Sequence, residues 1–207
     1  MKIKLKICGM KVPENIAEII ALKPDYLGFI FYPGSKRFIA DLDPELIKSV
    51  PASIATTGVF VNEKLDSVNN AISLYGLRAV QLHGRESPEF CAALKGEIEV
   101  IKAFGINEAF DFNTLHAYAD VVDYFLFDTQ TIDHGGSGKT FNWQLLENYT
   151  LDKPYFLSGG IGLENVADLL DVNDERLYAV DVNSRFEQSP GLKDVRMLQE
   201  FRTMSGC

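Results

Sequence analysis

The chain has 207 residues, 46% of them hydrophobic, and a net charge of −9. That is enough chain for one well-filled core. The acidic balance argues against nucleic acid as a main partner, because a phosphate backbone needs clustered Lys and Arg. A small anionic ligand needs only one local positive pocket and stays open. No stretch approaches the roughly 18 apolar residues of a membrane span. The opening Met1-Lys2-Ile3-Lys4-Leu5-Lys6 alternates charge with apolar residues where a signal peptide would be continuously apolar. No membrane partner is expected, and a cytoplasmic location is the default expectation. Cys8, Cys91 and Cys207 lie far apart with no C-x-x-C pair, and His83, His116 and His134 form no metal-spaced cluster. Neither a disulfide framework nor a metal site is expected.

In chain order, eight short β-branched or aromatic runs read as strands: Ile3–Cys8, Tyr26–Phe31, Thr56–Val61, Ala79–Leu82, Glu99–Ala103, Tyr124–Asp128, Tyr155–Leu157 and Tyr178–Val182. They start about 25 residues apart, which suits one strand, one loop and one helix per unit. Between them lie helical patterns. Glu14–Leu22 puts Ile16, Ile19 and Ile20 on one face, and Asp66–Tyr75 does so with Val68, Ile72 and Tyr75. Ser87 before Pro88 reads as an N-cap with proline at the first helical position. Leu163–Leu170 and Lys193–Phe201 follow the same pattern. A helix around Asn113–Asp120 has only Leu115 and Tyr118 to anchor it. Alternating strand and helix predicts an α/β fold with a parallel sheet, and eight regular units predict a closed (β/α)8 barrel over residues 1–207 as a single domain. An open doubly wound sheet fits the alternation but not the count as well.

A barrel concentrates its chemistry where strands end. The strand ends here are polar or glycine-rich: Lys6-Ile7-Cys8-Gly9, Ser35-Lys36-Arg37, Phe60-Val61-Asn62, Gln81-Leu82-His83-Gly84, Phe127-Asp128-Thr129, Ser158-Gly159-Gly160-Ile161-Gly162 and Asp181-Val182-Asn183-Ser184. Gly135-Gly136-Ser137-Gly138-Lys139-Thr140 suggests a nucleotide P-loop, but that motif needs glycine where Asp133 stands. Ser158–Gly162 after strand 7, together with Asn183-Ser184 after strand 8, matches the usual barrel phosphate position, although a tight turn needing positive φ would also explain the glycines.

Cys8 ends a strand at the chemical end, and alternation places Lys6 on its face, one layer below. An ammonium there would lower the thiol pKa and activate Cys8. The structural alternative pairs Lys6 with an acid such as Asp181. Asp128 ends the apolar run Phe125-Leu126-Phe127, so its carboxyl is expected to be desolvated, raised in pKa and suited to proton donation. Arg37 reads either as an ordinary surface arginine or, in the loop leaving strand 2, as a bidentate partner for a substrate carboxylate. His83 either lines the site or caps a loop.

Several segments, in this order, resemble phosphoribosylanthranilate isomerases of tryptophan biosynthesis: Lys6–Met10, Leu27–Tyr32 with Ser35-Lys36-Arg37, Gly58–Asn62, Val80–Gly84, Gly135–Phe141 with Trp143, Leu157–Ile161, and Pro190-Gly191-Leu192-Lys193-Asp194. The resemblance implies a (β/α)8 barrel and an aldose–ketose isomerisation, the Amadori rearrangement of a phosphorylated small-molecule substrate. It implies Cys8 as general base and Asp128 as general acid, with Arg37 on the anthranilate carboxylate. Gly159, Gly160, Asn183 and Ser184 would hold the phosphate. It implies no cofactor or metal, since the substrate's amine is the electron sink, and no obligate protein partner.

The chain departs from the family in one place. Asp181-Val182-Asn183-Ser184-Arg185 carries Arg185 where the family has glycine, which removes a cheap positive φ and adds a guanidinium near the phosphate. Competing readings are another sugar-phosphate isomerase on this fold, such as the histidine-pathway enzyme that works with two aspartates, and a non-catalytic barrel binding anionic metabolites. Cys8 speaks against the first, and the second has no need of Cys8 or Asp128.

Overall fold

The computed structural model describes residues 2–130 and 140–207; residues 131–139, including Asp133, His134 and most of the glycine-rich segment that follows, lie outside them. Eight parallel strands close into one barrel in chain order: β1 (Lys4–Ile7), β2 (Tyr26–Ile30), β3 (Ala55–Phe60), β4 (Ala79–Leu82), β5 (Glu99–Ile106), β6 (Tyr124–Thr129), β7 (Tyr155–Leu157) and β8 (Leu177–Val182). β1 pairs with β8 to complete the ring, Lys6 opposite Asp181. Every strand read from the sequence is present. The largest change is at β5, which runs on to Ile106.

The helices are α1 (Pro13–Ala21), α2 (Pro44–Lys48), α3 (Leu65–Tyr75), α4 (Pro88–Ala92), α5 (Val166–Leu170) and α6 (Val195–Ser205). α1, α2 and α4 open on proline, whose missing N–H costs nothing in the first turn. Asp43 and Ser87 cap α2 and α4 by accepting from the N–H groups of Glu45 and Phe90.

Four local expectations change. α2 was not foreseen, because five residues are too few to show helical periodicity. The segment expected as a helix around 113–120 is a 3-10 helix, Phe112–Tyr118, in which only Leu115 is fully buried. Leu163–Leu170 begins with a 3-10 turn, Leu163–Asn165, before α5. The final helix starts at Val195 because Asp194 takes the cap, accepting from Arg196 and Met197. Lys193 belongs instead to an antiparallel hairpin, β9 (Glu187–Ser189) with β10 (Leu192–Lys193), turned at Pro190-Gly191.

Strand alternation divides the core. Outward-facing Leu5, Ile7, Val80, Leu82, Phe125, Phe127, Val180 and Val182 pack under the helices. Inward-facing Tyr26, Ala79, Ile101, Ala103, Leu126, Phe156 and Ala179 fill the lower barrel. Cys8, Ile30 and Val59 form a separate apolar patch at the mouth. Lys4 meets the Tyr26 and Tyr178 rings at the foot of the barrel, while Lys6, Gln81 and Asp181 enter the interior above that lower layer. None of the described helices is long and apolar enough to cross a membrane.

Phe156 lies in the lower layer, its ring 5.1, 5.4 and 5.6 Å from those of Tyr26, Tyr124 and Tyr178. Phe156→Ala is expected to lower unfolding stability by about 3–5 kcal/mol. The check is a lowered denaturant midpoint at unchanged slope. A midpoint within error of the parent would show that the lower barrel does not depend on this ring.

Candidate active site

Cys8 follows β1 and Asp128 lies near the end of β6. Each has the parity of an inward neighbour, Lys6 and Leu126, so both side chains turn into the barrel mouth. They line one pocket together with Arg37, His83, Gly159, Gly160, Asn183, Ser184 and Arg185. Every site residue singled out in the sequence thus meets at the C-terminal mouth.

Beneath Cys8, Lys6 is fully buried, its Nζ 2.8 Å from Asp181 Oδ2 and 2.7 Å from Gln81 Oε1. Burial works against the Lys6 charge, but Asp181 and Cys8 together offset it and the ammonium is held above the ordinary lysine range. The pairing of Lys6 with Asp181 is realised, and Lys6 also pulls the Cys8 thiol pKa down, as expected. Burial pushes the thiol pKa up, Lys6 and Lys193 pull it down, Asp181 adds to the rise, and the net direction is upward. Lys6 tempers the desolvation of Cys8 without overcoming it. Glycine in β2 makes the thiol's position possible: a Cβ on Gly28 would sit 2.6 Å from Cys8 Sγ.

Asp128 behaves as its apolar strand predicts. Desolvation pushes its pKa up to about 6, against the pull of a hydrogen bond from Thr129 N–H to Oδ1 at 2.8 Å. The loop after β7 packs against the carboxyl. Gly159 and Gly160 have φ of +92° and +64°, and a Cβ on Gly159 would lie 2.9 Å from Asp128 Oδ1. Only glycine turns the chain there and lets it lie on the carboxyl. His83 Nε2 stands 3.5 Å from Asp128 Oδ2. His83 therefore lines the site.

Arg37 is in the pocket, but its fork is not open. Nε lies 2.8 and 3.1 Å from the two oxygens of Glu187, and Nη2 2.5 Å from Oε2. The bidentate edge expected to wait for a substrate carboxylate is occupied by Glu187. Glu187 also accepts from Lys193 Nζ at 2.7 Å, and the same Nζ donates to Asn183 Oδ1 at 2.7 Å. Burial lowers the Lys193 pKa to about 8 despite Glu187. Sequence reasoning missed Glu187 and Lys193. The signal was a Pro-Gly turn between two charged residues of opposite sign, which reads equally well as a solvated loop.

The glycine-rich loop after β7 is braced from within. Asn165 receives Gly162 N–H and donates to the Gly160 carbonyl at 3.0 and 2.9 Å. Arg185 sits in the 3-10 turn Ser184–Phe186 and is absent from the positive-φ residues, so the loss of the family glycine leaves no strained backbone. Its Nη1 is 3.2 Å from Glu164 Oε1, with both side chains about half exposed.

A profile of the family described as N-(5'phosphoribosyl)anthranilate (PRA) isomerase matches residues 5–203. The chain is 44% identical over 200 residues to the N-(5'-phosphoribosyl)anthranilate isomerase of Parabacteroides distasonis, covering 95% of this chain and 90% of that protein. Among solved structures, it is similar to the phosphoribosyl anthranilate isomerase of Thermotoga maritima, with a TM-score of 0.86, 38% identity, and coverage of 99% and 98% of the two chains. It is also similar, with a TM-score of 0.82, 33% identity and the same coverage, to a phosphoribosyl anthranilate isomerase in complex with reduced 1-(o-carboxyphenylamino)-1-deoxyribulose 5-phosphate. With a barrel of this topology, a pocket built from these strand ends and relatedness along nearly its whole length, the chain belongs to the N-(5'-phosphoribosyl)anthranilate isomerase family.

Proposed function

We propose that this chain catalyses the Amadori rearrangement of N-(5'-phosphoribosyl)anthranilate in tryptophan biosynthesis, with Asp128 as general acid and Cys8 as general base. The observation that carries the reading is the shared pocket, in which a partly buried carboxyl whose pKa is pushed up to about 6 faces the same cavity as a buried thiol. Asp128 protonates the ribose ring oxygen, the C1′–O bond breaks, and the amine lone pair forms the Schiff base. Cys8 then takes the C2′ proton to give the enolamine, which tautomerises to the ketone.

The ends of the substrate have distinct supports. Gly159, Gly160, Asn183 and Ser184 offer backbone at the phosphate position. Arg185 adds a guanidinium whose pairing with Glu164 is largely exposed, and such pairs are worth only about 0–1 kcal/mol. A phosphate there would gain a charge-assisted contact from it. Glu187 holds Nε and Nη2 of Arg37, so the anthranilate carboxylate takes the Nη1 side as an end-on contact. Glu187 fixes where that contact points.

The reactive form holds one proton on Asp128 and none on Cys8. At neutral pH the free site favours the opposite arrangement, carboxylate and thiol, because the pKa of Asp128 is the lower one. Both arrangements carry one proton between the two groups, so kcat/KM follows that singly protonated pair. Below about pH 6 both groups hold protons and the base is blocked. The rate rises as pH passes through about 6, stays level, and falls once the raised thiol range is passed. In Asp128→Asn the rising limb near pH 6 should vanish. A profile with no limb there in the parent enzyme would contradict the acid assignment.

Cys8→Ala and Asp128→Asn are each expected to cut turnover of the anthranilate substrate by about 10²–10⁴-fold. Product formation is followed by loss of substrate fluorescence, and folding by circular dichroism. Retained turnover in both variants, or none in the folded parent, would defeat the proposal. Arg185→Ala should raise KM several-fold while kcat holds, and an unchanged KM would remove Arg185 from phosphate binding.

A further inference from the structure

A line of side chains crosses the barrel interior from the buried ion pair to Asp128. Lys6 Nζ lies 2.8 Å from Asp181 Oδ2 and 2.7 Å from Gln81 Oε1. Gln81 Nε2 lies 3.0 Å from His83 Nδ1, and His83 Nε2 lies 3.5 Å from Asp128 Oδ2. Lys6, Gln81 and Asp181 are at most 5% exposed.

Proton inventory sets the direction of each contact. An ammonium has three donors and no acceptor, so the Gln81 atom against Lys6 must be the carbonyl oxygen. Turning the amide over would set its NH2 against a buried cation and forfeit a charge-assisted bond. With its oxygen committed, Gln81 meets His83 through NH2, which only donates. His83 Nδ1 must accept and therefore carries no proton. A neutral imidazole bare at Nδ1 has its proton on Nε2, the nitrogen that faces Asp128.

We propose that Gln81, oriented by Lys6, is a positioning residue that locks His83 as the Nε2–H tautomer, and that this lock reserves the Asp128 proton for the substrate. The second half rests on Asp128 being the acid. In the other tautomer, a basic lone pair would face the acid and draw its proton to the ring. With Nε2 already protonated, that transfer is closed, and the proton goes from Asp128 to the ribose ring oxygen while His83 neither gains nor loses one. The carboxylate left behind then has two N–H groups beside it, Thr129 N at Oδ1 and His83 Nε2 at Oδ2. The imidazolium is resisted for the same reason as the wrong tautomer, since its Nδ1–H would need the Gln81 oxygen that Lys6 holds.

The test is nitrogen NMR of the histidine rings in the folded parent protein, with the His83 signal identified by its loss in His83→Gln. At neutral pH the proton is expected on Nε2 with Nδ1 bare. Gln81→Glu, whose carboxylate accepts from Nδ1–H, should move the proton to Nδ1 and lower kcat about 10- to 100-fold with KM within about twofold. Gln81→Met, which removes the amide without reversing it, should give mixed tautomers and a smaller loss. A parent spectrum with the proton on Nδ1 overturns the lock whether or not the variants fold. So does Gln81→Glu with undiminished kcat. Full turnover in Asp128→Asn would instead remove the acid, and with it the purpose of the lock, while leaving the Nε2 proton in the spectrum, so the two failures are distinct.

Discussion

The site hangs on one buried ammonium. Lys6 lies in the middle of the barrel with no water-facing surface, clamped between Asp181 on the neighbouring strand and Gln81 two strands beyond β2. A charge in such a place is costly alone, and breaking a buried pair costs about 3–5 kcal/mol because the survivor is left uncompensated. The contact therefore does more than hold β1 to β8. It pins the layer directly under Cys8, fixes which way Gln81 faces, and through Gln81 sets the hydrogen-bonding of His83. Three strands are tied in one register by a single set of donors and acceptors.

Charge throughout the mouth is balanced in the same economical way. Lys6 is matched by Asp181, while Arg37 and Lys193 share Glu187. Each of these pairs is largely hidden from water, so each acts as fixed scaffolding. Arg185 and Glu164 differ from these, forming a half-exposed pair. The chain thus places a half-exposed guanidinium at the mouth of the barrel. The turn Ser184–Phe186 tolerates it because the backbone there needs no left-handed residue.

Desolvation acts on Asp128 and Cys8, the acid and base of the proposed reaction, in the same direction, with different consequences. It lifts Asp128 to about 6, into the range where a carboxylic acid can still hold a proton near neutrality. It also lifts Cys8, which needs the nearby Lys6 and Lys193 charges to keep the thiolate within reach. A more open pocket would ease the base and spoil the acid. Gly159 lying on the Asp128 carboxyl and Gly28 making room for the Cys8 sulfur show that close packing, on both sides, is what the backbone was shaped to give.

The eight strands, their spacing and the residues at their ends were legible in the chain itself, because strand alternation and the repeat length are local properties. Strand position set Cys8, Asp128 and the glycine-rich loop after β7 at one end of the barrel, and the family resemblance supplied the roles expected of them. Other features depended on which residues the closed barrel brings together. Lys6 could have served Cys8 or Asp181, and only the ring closure of β1 onto β8 set it opposite the acid. Arg37 read as an open fork until the hairpin of β9 and β10 carried Glu187, 150 residues away, into contact with it. α2 and the 3-10 segment Phe112–Tyr118 are too short or too weakly apolar for periodicity to reveal them. Local pattern determined the architecture and the address of the site. Long-range pairing of buried charges decided how each group in it is protonated, because desolvation and partner distance exist only once the chain has closed.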